Sequence, residues 1–110
     1  DSLFKNYKEG LKKSEKYLNN LILLLKNNNI DIYFVLYPHP SQIVYEDLYH
    51  HPYWENWAIK NNINFISLYS DFESENKREM ALNTFIFGDL HWNKRGTKIV
   101  FNSLMSQINF

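Results

Sequence analysis

The chain has 110 residues, with 12 Lys and Arg against 12 Asp and Glu, and this zero formal charge removes the electrostatic footprint of a nucleic-acid or anionic-membrane binder. Cys is absent, which excludes a disulfide scaffold, a thiolate metal site and a Cys nucleophile together. The longest aliphatic run, Leu21 to Leu25, is far short of the roughly 20 residues that span a bilayer, and no charged-then-apolar signal segment opens the chain.

Three Trp, eight Tyr and eight Phe supply enough apolar surface for one packed core, and Gly and Pro are sparse. A chain this long buries about two-thirds of its unfolded surface. One domain, or part of one, is therefore expected, and the Asp1 start suggests a piece of something longer.

From Leu3 to Leu25, apolar residues recur at Phe4, Tyr7, Leu11, Leu18, Leu21, Ile22 and Leu25, which predicts an amphipathic helix with a Lys- and Glu-rich solvated face. Asp1 or Ser2 would cap its start. Asn27-Asn28-Asn29 would end it, because Asn tolerates the left-handed conformation. Ile30 to Tyr37 is a continuous β-rich run and reads as a strand buried on both faces, ended by Pro38-His39-Pro40. Ile43, Val44 and Leu48 predict a short helix, and Trp54, Trp57 and Ala58 a second, with Pro52 near its start. Ile63 to Leu68 follows as another strand, so that strand, helical crossover and strand form a right-handed βαβ unit. Glu73 to Leu82 reads as a surface helix, and Phe85-Ile86-Phe87 as a brief strand or apolar anchor. Gly88 to Asn93 is then a loop, and Lys94 to Ile108 a last helix with Ile99, Val100, Leu104, Met105 and Ile108 inward. The architecture expected is an α/β sheet with helices on both faces. Two strands do not make a stable sheet of that kind, so further strands are expected from chain outside these residues. A sheet edge left open in this way would favour self-association.

The chemistry concentrates in Gly88-Asp89-Leu90-His91-Trp92-Asn93-Lys94-Arg95-Gly96. His is the side chain best suited to move a proton near neutrality. In an extended loop residues two apart point the same way. Asp89 would then accept the Nδ1 proton of His91 and leave Nε2 free to take one from a hydroxyl, which is two-thirds of a Ser-His-Asp triad. Gly88 and Gly96 bracket the loop and allow a tight backbone path. Taken alone, Asp-x-His is common, and a surface loop whose Asp caps a turn is the better account of the tripeptide by itself.

Gly-Asp-Leu-His-Trp-Asn-Lys-Arg-Gly before an amphipathic helix resembles the final block of SGNH (GDSL-type) hydrolases. Phe34-Val35-Leu36-Tyr37-Pro38-His39-Pro40-Ser41 resembles the strand and Tyr-Pro-x-Pro loop of one bacterial branch. The likeness runs from about Leu11 onward and corresponds to the C-terminal half of such a domain. It implies a three-layer α/β/α, flavodoxin-like fold of which only the C-terminal part is present. It also implies chemistry on O-acyl esters of small molecules or carbohydrates, by hydrolysis or acyl transfer, with no cofactor. By motif, Asp89 would be the orienting acid and His91 the general base. Many family members have Asp-x-x-His, whereas the Asp-x-His here matches the spacing of SGNH-like proteins of polysaccharide O-acetylation, which work outside the cytoplasm.

The family's nucleophilic Ser and oxyanion Gly and Asn belong to other blocks, and no such block is recognisable here. Asp1-Ser2-Leu3 echoes the Ser block but opens a helix, which makes Ser2 a cap. The chain alone is therefore expected to show no esterase turnover. The rival expectation is a non-catalytic carbohydrate-binding or structural module that keeps the fold without a nucleophile.

Other residues carry weaker signals. His39, after a strand end, would line an acyl or sugar pocket or serve only as a loop residue. Trp92 would wedge the Asp-His loop against the core or contact substrate. Adjacent His50 and His51 diverge on any regular element, so no metal site is expected. Trp54 and Trp57 are at core spacing, and the fifteen Asn residues read as compositional bias.

Overall fold

The computed structural model describes residues 2–108, with side chains from residue 5 onward. The cap expected at Asp1 or Ser2 lies outside the described side chains. The chain is mixed α/β, mostly helical, with a small parallel sheet, and it divides into two compact units at Ile32 and Tyr33.

The first unit is one helix, α1 (Ser2–Asn27), as the apolar spacing predicts. Its end is built by Asn. Asn29 has φ 56°, its N–H donates to the Lys26 carbonyl at 3.1 Å, and the Ile30 N–H reaches Leu25 at 3.0 Å. Those two bonds form a Schellman motif with Asn where Gly is usual. Ile30 is thereby tied to the helix end, which is why the following strand starts later than expected.

The second unit runs β1 (Tyr33–Leu36), α2 (Pro40–Tyr45), α3 (His50–Lys60), β2 (Asn64–Ser67), a 3-10 turn (Ser70–Phe72), α4 (Lys77–Thr84) and α5 (Lys94–Gln107). The strands pair in parallel, with Phe34 opposite Phe65 and Val35 opposite Ile66. Strand alternation sends these two pairs to opposite faces. On one face Phe34 stacks on Phe65 and meets the α3 indoles of Trp57 and Trp54 at ring distances of 5.1 and 5.7 Å. On the other, Ile66 joins a core of Ile43, Leu68, Phe72, Ala81, Phe85 and Val100 drawn from α2, α4, α5 and their connections. β1 is only half-buried, a departure from the doubly buried strand expected. The reason is lateral: among the described residues the sheet has two strands, so each has one unpaired edge.

α3 ends as α1 does. Asn62 has φ 53° and the Ile63 N–H returns to Ala58 at 2.9 Å, so Asn-Asn-Ile closes a helix twice. Asn76 starts α4 by accepting the Glu79 N–H at 3.1 Å, which moves that helix later than the expected Glu73 start. The Asn residues are thus structural punctuation, correcting the reading of them as bias alone. In α5 the inward face holds Gly96, Val100 and Ser103, whereas Met105 is half-exposed. Ser103 takes the inner place because its Oγ donates to Asp71 at 3.1 Å and accepts from Gln107 at 2.8 Å.

Candidate active site

The segment between α4 and α5 is a short hairpin-like loop. Phe85 and Trp92 form an antiparallel bridge, and the Ile86 N–H donates to the His91 carbonyl at 2.9 Å. At its tip the Asp89 N–H donates to Ile86 at 3.0 Å across Gly88, whose φ of 72° is what the third position of a type II turn requires. The base is pinned by Asn93. Its Oδ1 accepts the Gly96 N–H at 3.0 Å, capping α5, and its Nδ2 donates to the Asn83 carbonyl at 2.8 Å. Asn93→Ala removes the cap and leaves that carbonyl without its donor. It is expected to destabilise the protein by about 1–2 kcal/mol, and thermal unfolding followed by circular dichroism checks this.

On this frame Asp89 and His91 meet. Asp89 Oδ1 accepts from His91 Nδ1 at 2.6 Å, and also from the backbone N–H groups of Leu90 at 2.6 Å and His91 at 3.1 Å. The ring hydrogen bond, followed by the two backbone bonds, holds the Asp89 carboxyl below its ordinary value. An ionised Asp89 has no proton to give, so the imidazole proton belongs on Nδ1 and the Nε2 lone pair is the basic one. The His91 side chain is 83% exposed, and among the described residues no serine is hydrogen-bonded to it. Because the carboxyl is depressed in the folded state, the pair's stabilisation is fully present above the ordinary carboxylate value and is lost as pH falls through the lowered one. An NMR titration of the Asp89 carboxyl carbon is expected to show a midpoint below 3.8; a midpoint at or above it would contradict the arrangement.

Trp92 acts as the wedge. Its indole packs against the core and meets the Tyr37 ring edge-on at 4.6 Å, with its N–H buried and unpartnered among the described residues. This placement joins the Asp-His loop to the carboxyl end of β1. Asp89 also borders an apolar cavity of about 470 Å³ with Val44, Tyr45, Leu82 and Phe87.

His39 is elsewhere. It is the N-cap of α2: Nδ1 accepts the Ser41 N–H at 3.4 Å and lies 2.9 Å from Ser41 Oγ, while its own N–H donates to Gln42 Oε1 at 2.7 Å. It borders a shallow cavity with Tyr37, Gln42, His50 and Tyr69, and no hydrogen bond or ring contact joins it to Asp89 or His91. Trp54 and Trp57 are buried in the core, as their spacing predicts. Among the described residues no three His, Asp or Glu side chains gather as a metal-ligand group, and no helix is long and apolar enough to cross a membrane.

One contact escaped the sequence reading. His51 Nε2 lies 2.8 Å from Ser67 Oγ and His51 Nδ1 lies 3.6 Å from Glu55 Oε2. The helical i, i+4 spacing of His51 and Glu55 was visible, but the partner sixteen residues away on β2 was not.

No family model, no curated protein and no solved structure matches the chain.

Proposed function

We propose that the chain supplies the Asp-His half of a Ser-His-Asp acyl-transfer site, within the C-terminal part of an SGNH-like esterase or carbohydrate O-acyltransferase domain. On this reading the parallel pair and its helices belong to a three-layer α/β/α, flavodoxin-like sheet completed by further chain. The observation that carries it is the 2.6 Å bond from His91 Nδ1 to a carboxylate, with no partner on Nε2 among the described residues. His91 would take the proton of a serine hydroxyl supplied from outside these residues as the oxygen attacks an ester carbonyl. Asp89 would hold the tautomer and steady the imidazolium formed. No cofactor takes part.

The test is p-nitrophenyl acetate hydrolysis by the chain expressed with the rest of its reading frame. His91→Ala is expected to lower the rate by about 10³-fold or more, and a variant as fast as wild type would overturn the proposal. The exposed His91 without a bonded serine favours the second reading, a non-catalytic carbohydrate-binding or structural module. A reading frame with no nucleophile-bearing block supports that one.

A further inference from the structure

Ser67 closes β2 at the carboxyl end of the parallel pair, the end at which open α/β sheets hold ligands. It borders the largest of the cavities described, about 790 Å³, together with His51. Ser67 Oγ is 2.8 Å from His51 Nε2, and Glu55 Oε2 faces the opposite ring nitrogen at 3.6 Å. A carboxylate on the Nδ1 side favours the proton there, so Nε2 accepts and the Ser67 hydroxyl donates. Ser67 Oγ also accepts the Tyr69 N–H at 3.3 Å, which leaves the hydroxyl proton directed at the imidazole. Nucleophile, base and orienting carboxylate are thus in series, the pattern of an activated serine, with the looser carboxylate contact common in ligand-free sites.

We propose that Ser67, His51 and Glu55, all within this chain, form a second acyl-accepting centre separate from the Asp89–His91 pair, so that the chain alone turns over ester, contrary to the expectation from the Asp-His loop. In the first step Ser67 Oγ bonds to the ester carbonyl carbon and its proton passes to His51 Nε2, which hands it to the leaving alkoxide or phenoxide oxygen as the bond from that oxygen to carbon breaks with its electron pair. Water then attacks the acyl-serine and gives one proton to the freed Nε2, which returns it to Ser67 Oγ as the acyl–oxygen bond breaks and the acid leaves. Glu55 is a positioning residue. The cavity's charge selects the substrate. Glu46, Glu73 and Glu75 line it against one cation, Lys77, which is already paired with Glu46. An excess of carboxylates disfavours anionic esters, so the substrate class is a small uncharged or cationic carboxylic ester.

The test is covalent labelling of the 110-residue chain with uncharged diisopropyl fluorophosphate, whose P–F bond breaks as the Ser67 O–P bond forms, read by peptide mass spectrometry. The expected result is one adduct on Ser67. His51→Gln, whose amide retains a hydrogen-bonding partner for Ser67 but takes no proton, is expected to slow labelling by about 100-fold or more. Glu55→Gln slows it more modestly at an unchanged melting temperature, a separation that a purely structural contact would not produce. The turnover assigned to the Asp89–His91 pair is read in a Ser67→Ala background, so failure here and failure of the Asp89–His91 proposal are separately visible. The absence of a Ser67 adduct, or labelling of Ser67 at the wild-type rate in a folded His51→Gln protein, would overturn the proposal.

Discussion

Asp89→Asn is expected to lower the turnover of the proposed nucleophile-bearing protein by about 10²-fold, mostly in kcat, with the fold intact. The reason is charge. A carboxylate at 2.6 Å from Nδ1 can only accept, so the ring proton is held on that side. In the amide the carbonyl oxygen takes that place, because the Leu90 and His91 backbone N–H groups on the same oxygen need an acceptor. The Nδ1–H form is then kept, but the negative charge that steadies the imidazolium is gone. Because Asp89 and His91 are both exposed, the substitution changes little else, and the melting temperature is expected to hold. Nitrogen NMR of the imidazole in the 110-residue chain reads the tautomer directly. An Asp89→Asn protein that keeps full turnover would show that the carboxylate charge does not support the base.

Gly96→Ala carries the largest expected effect on stability. Gly96 is buried in the first turn of α5, where an added β-carbon would lie 2.1 Å from the Thr84 carbonyl oxygen. The obstacle is backbone, so no rotamer change relieves it, and the same carbonyl accepts the Asn93 N–H at 3.0 Å. Either α5 moves away from the end of α4 or that hydrogen bond is lost. Overpacking of this kind costs about 3 kcal/mol, which for a domain of this size lowers the melting temperature by roughly 15 °C. The strain falls on the strut that seats the Asp-His loop, so the proposed esterase activity would fall with it. A melting temperature within about 2 °C of wild type would contradict the close approach.

Element order was largely readable before any coordinates, and the physical reasons differ by element. α1 and α5 announce themselves through apolar spacing, a local property that needs no knowledge of the partner surface. β1 and β2 are marked by β-rich runs after Asn pairs, and the same pairs supply the left-handed residues that end the preceding helices. The Asp89–His91 bond was legible because residues two apart on a tight loop leave few alternatives. What was not legible depends on long-range proximity. The His51–Ser67 contact joins a helix start to a strand end, and the clash surface behind Gly96 belongs to the end of another helix. Met105 was placed inward by hydrophobicity, yet Ser103 holds the inner position through two hydrogen bonds that a hydropathy pattern does not register.

The Asp89–His91 bond closes a loop of very few covalent links, reinforced by two main-chain amides on the same oxygen. Such a unit carries its own alignment and needs no distant scaffold to keep it. Substitutions elsewhere in the chain should therefore leave the imidazole's acid–base polarity untouched and alter only where the whole tip is aimed, through the Trp92–Tyr37 contact. Reactivity and aim are separable traits in this molecule, governed by different stretches of the chain and open to independent change.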